Sequence, residues 1–177
     1  MLKSKAHDTY MQRALELAAL GLGNTYPNPV VGAVLVYNNM IIGEGYHHKA
    51  GEPHAEINAL NSVKNKSLIK HATLYVTLEP CSHVGKTPPC ADAIIEHGIK
   101  KVVVAMKDPF EKVAGRGITR LQENGVEVVT GVMEEQSMEL NLRFITFHVK
   151  KRPYIILKWA QTADGFIDKE RKPDETS

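Results

Sequence analysis

Three short apolar runs, "ATLYVTL" (72–78), "KVVVAM" (101–106) and "VEVVTG" (126–131), alternate with segments of helical pattern. Strands that alternate with helices along a chain indicate parallel pairing and place helices against the sheet. The helix at 90–98, "CADAIIEHG", follows two prolines and ends at a glycine, and "GITRLQENG" (117–125) ends the same way. Upstream, "VVGAVLVY" (30–37) and "MIIGEGYH" (40–47) flank an Asn38–Asn39 turn and read as a hairpin. Apolar stripes predict helices at 8–22, through Leu15, Leu17, Ala18, Ala19 and Leu22, and at 54–63, through Ile57, Ala59, Leu60 and Val63. A long helix is expected over 133–150. The predicted architecture is α/β, a three-layer α/β/α sandwich around a five-stranded mixed sheet.

The chain has 177 residues, 43% of them hydrophobic and 24% charged, which suits a soluble globular protein able to bury a core without staples. Residues 1–150 are expected to form one domain. The remainder opens with the apolar run "RPYIILKWAQTADGFID" (152–168) and ends in polar "KERKPDETS". A strand with no partner after it reads as the start of a truncated second domain, over 151–177; the alternative is a terminal strand capping the first domain. The net charge of +2 and the 6% aromatic content provide neither a basic stripe nor a stacking platform for nucleic acid. No run approaches the ~18 apolar residues of a membrane span. The N-terminus lacks the features of a signal peptide. The expected location is the cytoplasm, where cysteines stay reduced. Surface on the long helix and the orphan strand points to a homo-oligomer.

Against that background the two cysteines, Cys81 and Cys90, stand out. They follow "HAE" (54–56), and in a reducing compartment they favour metal binding or catalysis over a disulfide. His54, Cys81 and Cys90 make three ligands of the kind zinc prefers, leaving a fourth position for water. Zinc lowers the pKa of a bound water from ~15.7 toward ~7, and Glu56, two residues beyond His54, is placed to move its proton. Cys90 opens a helix, whose dipole is expected to favour the thiolate. Taken singly, each cysteine reads as a small buried apolar residue and His54 as a helix cap; a structural zinc site would draw a fourth ligand, such as His83. Together, H-x-E, a strand and P-C…C match the zinc deaminase pattern, except that eight residues, "SHVGKTPP", separate the cysteines.

"PNPVVGAVLV" (27–36), "GEPHAE" (51–56), "VTLEPCSHVGKTPPCADAII" (76–95) and "VAGRGI" (113–118) together resemble the deaminase domain of the bifunctional riboflavin-biosynthesis deaminase–reductase, over about residues 8–150. The eight-residue loop is the most specific part of the resemblance. The family implies a cytidine-deaminase-like fold, zinc on His54, Cys81 and Cys90, and Glu56 as proton shuttle. It also implies substrate contacts from Asn28, His47, His83, Lys86, Asp108 and Arg116. His47 is preferred over His48 from its motif position. The implied reaction is hydrolytic deamination of 2,5-diamino-6-(5-phosphoribosylamino)pyrimidin-4-one to 5-amino-6-(5-phosphoribosylamino)uracil and ammonia. The tail resembles the first strand of the family's NADPH-dependent reductase, an activity that 27 residues cannot supply. The family reads Asp-Pro-Asn where this chain has Asp108-Pro109-Phe110. Two alternatives remain beside this one: another zinc deaminase, acting on a free base, a nucleoside or a tRNA adenosine, and a non-catalytic zinc-stabilised docking module.

Overall fold

The computed structural model describes residues 2–82, 88–109, 115–163 and 165. The chain begins with α1 (Leu2–Ala19), then β1 (Gly32–Tyr37), β2 (Met40–Tyr46) and α2 (Ala55–Ser62). There follow β3 (Thr73–Leu78), α3 (Cys90–Glu96), β4 (Lys101–Met106), α4 (Arg116–Glu123) and β5 (Glu127–Thr130), and finally α5 (Glu134–Leu140) and α6 (Leu142–Lys150). One sheet of order β2-β1-β3-β4-β5 holds all five strands. β3, β4 and β5 pair in parallel, with Leu74 opposite Val102 and Val104 opposite Thr130, while β1 runs antiparallel to both β2 and β3. The α/β sandwich and the mixed sheet expected from the sequence are both present.

The layering follows from side-chain alternation. In β3 and β4, Leu74, Val76, Val102 and Val104 point to one face, where they pack with Ala59, Leu60, Ala91, Ile94 and Leu121 of α2, α3 and α4. Tyr75, Val103 and Ala105 point to the other and pack with Met11, Ala14 and Leu17 of α1. Strands buried on both faces need a continuous apolar run, which is why "KVVVAM" lacks alternation. β2 lies at the sheet edge and, over residues 42–46, alternates half-buried and buried positions. Asn38 and Asn39 both adopt positive φ, 48° and 60°, the left-handed pair that a two-residue hairpin requires.

Three local expectations differ. The first helix runs over Leu2–Ala19, and a 3₁₀ turn at Lys66–His71 precedes β3 where no element was expected. The expected 133–150 helix is two helices, interrupted at Asn141. Asn141 leaves helical geometry because its side chain is used elsewhere. Its Oδ1 accepts from the Val30 N–H (2.9 Å), and its Nδ2 donates to the Val30 carbonyl (3.1 Å). Ser137 Oγ donates to the Thr77 carbonyl at 2.6 Å, so α5 is stitched to the ends of β1 and β3. The third difference lies in the tail. Residues 152–163 carry no strand, and Ile155, Ile156, Leu157 and Trp159 are exposed. An apolar run becomes a strand only with a neighbour to pair with, and the five-stranded sheet supplies none to it.

Asn141→Ala would orphan a buried donor and a buried acceptor on Val30. Each costs ~1–3 kcal/mol, so a loss of about 2–3 kcal/mol is expected in urea unfolding. A loss below about 0.5 kcal/mol would mean that Val30 is paired by other groups.

Candidate active site

The site gathers at one end of the sheet, where β3 and β4 finish, β1 begins and β2 runs into His47. Carboxyl ends of parallel strands are the usual ligand-binding edge of such sheets. α2 reaches this edge because β2 is glycine-rich. A Cβ on Gly45 would stand 2.3 Å from the Ala59 nitrogen and 2.7 Å from the Ala55 oxygen, so only glycine lets the helix backbone lie on the strand. His54 occupies the cap position of α2 with extended φ and ψ of −72° and 165° and makes no capping bond. Its ring turns instead toward the two sulfurs.

His54 Nδ1 lies 3.3 Å from Cys90 Sγ and 3.6 Å from Cys81 Sγ, and the three donor atoms fall within 4.8 Å of one another. A tetrahedral zinc with Zn–N near 2.0 Å and Zn–S near 2.3 Å sets its N and S ligands about 3.5 Å apart. The donor set and its spacing therefore fit zinc. The Cys90 backbone N–H points at Cys81 Sγ (3.4 Å). Cys81 is pushed down to about 4 by a hydrogen bond from the Cys90 thiol, with His54 adding to the effect. Cys90 is pushed up by the same bond and by burial. The first amide of α3 thus points at the sulfur of Cys81, whereas its own first residue was expected to benefit. A metal cation held by these donors would displace the thiol protons.

Glu56 is 3% exposed, and its Oε2 is buried with no hydrogen-bond partner. Burial, then the charge of Cys81, raises its carboxyl to about 7, the range suited to moving protons near neutrality. An orphaned buried oxygen is rare in native structures, and a water held on the three donors would satisfy it.

His47 is buried, edge-on to His54 with ring centroids 5.4 Å apart. His47 Nδ1 is 3.2 Å from the Pro53 carbonyl, which can only accept. That places the ring proton on Nδ1 and leaves Nε2 to accept from Asn28 Nδ2 at 3.1 Å. Burial lowers the His47 pKa and keeps the ring neutral. His48 is exposed and packs on Tyr46 at 4.2 Å between centroids. The structure therefore brings together Asn28, His47, His54, Glu56, Cys81 and Cys90. Asp108 is half-buried and Arg116 is exposed at the start of α4. Both belong to a segment tethered to the site by Glu79, a residue that sequence reasoning passes over. His83, Lys86 and Phe110 lie outside the described residues.

Comparison with known proteins bears on the same residues. Residues 4–106 match the cytidine and deoxycytidylate deaminase zinc-binding region. The chain belongs to this deaminase family. The deaminase is 56% identical to the riboflavin biosynthesis protein RibD of Aquifex aeolicus over 156 residues, 88% of this chain and 43% of that protein. It is 52% identical over 135 residues to the diaminohydroxyphosphoribosylamino-pyrimidine deaminase of Buchnera aphidicola subsp. Schizaphis graminum, covering 76% of this chain and 90% of that one. A crystal structure of the Thermotoga maritima diaminohydroxyphosphoribosylaminopyrimidine deaminase/5-amino-6-(5-phosphoribosylamino)uracil reductase aligns with a TM-score of 0.86 at 50% identity, covering 92% of this chain and 46% of that one. The deaminase spans less than half the length of the Aquifex and Thermotoga relatives. No described helix is long and apolar enough to cross a membrane.

Proposed function

We propose that this deaminase is zinc-dependent and hydrolyses 2,5-diamino-6-(5-phosphoribosylamino)pyrimidin-4-one to 5-amino-6-(5-phosphoribosylamino)uracil and ammonia. The observation that carries the reading is the buried, unpartnered Oε2 of Glu56 beside the His54–Cys81–Cys90 cluster. The relative from Buchnera, matched over nearly its whole length, carries this deaminase activity in its name. Zinc held by His54, Cys81 and Cys90 would supply an acidified water and a fixed positive charge. Glu56 Oε2 would take a proton from the attacking water and later deliver one to the departing amino group, so that one water is consumed and one ammonia leaves. The carbon–oxygen bond forms first, the carbon–nitrogen bond breaks once the amino group is protonated, and no redox partner is needed.

His47 and Asn28 orient the base. His47 is locked in one tautomer by Pro53 and accepts from the Asn28 amide, whose remaining N–H and carbonyl are assigned to the base. Arg116, His83 and Lys86 are assigned to the phosphorylated end, where cations pair with phosphate oxygens, and Asp108 to the cleft wall beside it. Residues 151–177 are read as the start of a second domain. Their exposed apolar side chains and the greater length of the relatives support that division, with NADPH chemistry belonging to that further domain.

Asn28→Ala removes the donor to His47 Nε2 and one ring contact. KM should rise about tenfold with zinc content unchanged, since a lost hydrogen bond of about 1.4 kcal/mol is tenfold. An unchanged KM would remove Asn28 from the substrate wall. The substrate itself is tested by comparing kcat/KM for the phosphoribosylamino-pyrimidinone, its dephosphorylated form, dCMP and cytidine. The first is expected to lead by at least about 100-fold. Equal or better turnover of dCMP would overturn the assignment.

A further inference from the structure

Glu79 lies between the end of β3 and the Pro80–Cys81 pair, and it is 4% exposed. Its Oε2 accepts the backbone N–H groups of Asp108 (3.2 Å) and Gly115 (2.9 Å). Its Oε1 accepts those of Gly117 (2.9 Å) and Ile118 (3.3 Å). A carboxylate this buried is costly unless its charge is answered, and here four amides, three of them around the positive end of α4, answer it. The four donors stand on either side of one connection, Asp108 just after β4 and the others around the start of α4. The approach is close. A Cβ on Gly117 would stand 1.9 Å from the Pro80 carbonyl oxygen, so the first turn of α4 rests on the backbone immediately before Cys81. Farther along, Arg120 of α4 is bonded to Asp92 of α3, the helix that Cys90 opens.

We propose that Glu79 is a positioning residue for the deamination: it holds Asp108 and Arg116 in fixed register with Cys81, so that the wall meeting the phosphorylated end of the substrate keeps its place. It reaches no donor atom of the cluster in its described contacts and acts through the backbone it pins. This rests on the substrate reading given above, which assigns Asp108 and Arg116 to that wall.

Glu79→Gln keeps size and shape but exchanges one accepting oxygen for an NH₂ that faces two N–H groups. In the full chain loaded with zinc, KM for the phosphorylated pyrimidinone should rise about tenfold or more. kcat should stay within about threefold and zinc at wild-type content. KM for the dephosphorylated substrate should move less than about twofold. On an Arg116→Ala background the Glu79→Gln effect on KM should shrink, because both act on one wall. Amide exchange at Gly115, Gly117 and Ile118 should quicken while β4 stays protected, and this reads the clamp whatever the substrate. Absence of wild-type turnover would thus count against the substrate reading, while unchanged exchange would count against the clamp. If Glu79→Gln does not fold, Glu79→Asp, which keeps the charge but draws it back by one methylene, is expected to show the same split between KM and kcat. Wild-type KM in the folded variant, a fall in kcat that tracks lost zinc, or failure of both variants to fold would overturn the proposal.

Discussion

Glu56→Gln should abolish ammonia release, lowering kcat by about 10³-fold or more, while zinc content and fold stay as in the wild type. The size follows from the role, since positioned acid–base groups contribute typically 10²–10⁴-fold. The selectivity follows from the geometry. Glu56 lies outside the three-donor cluster, so removing its charge takes no ligand from the metal. Its Oε2 has no protein hydrogen-bond partner, so exchanging that oxygen for an amide breaks none. Glutamine occupies the same buried volume at the start of α2 but does not accept and return a proton. Burial holds the native carboxyl at about 7, and glutamine removes that titration altogether. The check is a stopped ammonia assay with zinc measured on the same sample. Activity within about tenfold of wild type would take the proton shuttle away from Glu56.

The second large effect concerns the donors. Cys90→Ala should cut zinc retention after dialysis by at least about 100-fold and remove activity in proportion, because two remaining ligands do not make a zinc site. His54→Ala should behave alike. The variants should nevertheless fold. Both sides of the sheet have their own apolar packing, through Leu74, Val76, Ile94 and Val104 on one face and Met11, Val34 and Val103 on the other. The cluster joins the ends of α2 and α3 to the residue after Pro80 and is not what builds the core. A drop in unfolding temperature is expected only to the extent that bound zinc stabilises the native state by mass action. Chelation of the wild type should reproduce the variants, and zinc should restore the wild type alone. Wild-type activity in Cys90→Ala with less than about one-tenth zinc per chain would separate the chemistry from the metal.

Much of this molecule is legible in its sequence where the physics is local. Doubly buried strands such as "KVVVAM" need uninterrupted apolar residues, and an Asn38–Asn39 pair tolerates the left-handed backbone of a tight hairpin. His54, Glu56, Cys81 and Cys90 could be grouped because so few side chain types suit zinc and proton transfer. What escaped notice is set by tertiary contacts. Asn141 sits in a helix-compatible stretch, and its bonds to Val30, 111 positions earlier, fall where that helix breaks in two. Glu79 looks like a strand-end charge, and its four amide partners lie 29–39 positions away. The direction of the dipole effect on the cysteines also needed structure, since it depends on where the first amide of α3 points. The apolar tail shows the converse: β propensity at 154–157 produces no strand when nothing pairs with it.

The central claim, a zinc-dependent deamination of a phosphorylated pyrimidinone, is tested most directly by titrating zinc into chelated protein. Ammonia release from 2,5-diamino-6-(5-phosphoribosylamino)pyrimidin-4-one is followed at each addition. Release should climb in proportion to zinc and level off at about one ion per chain, the content of a single His/Cys/Cys site. Release that ignores zinc, or a chain filled with zinc that yields no ammonia from this substrate, would contradict it.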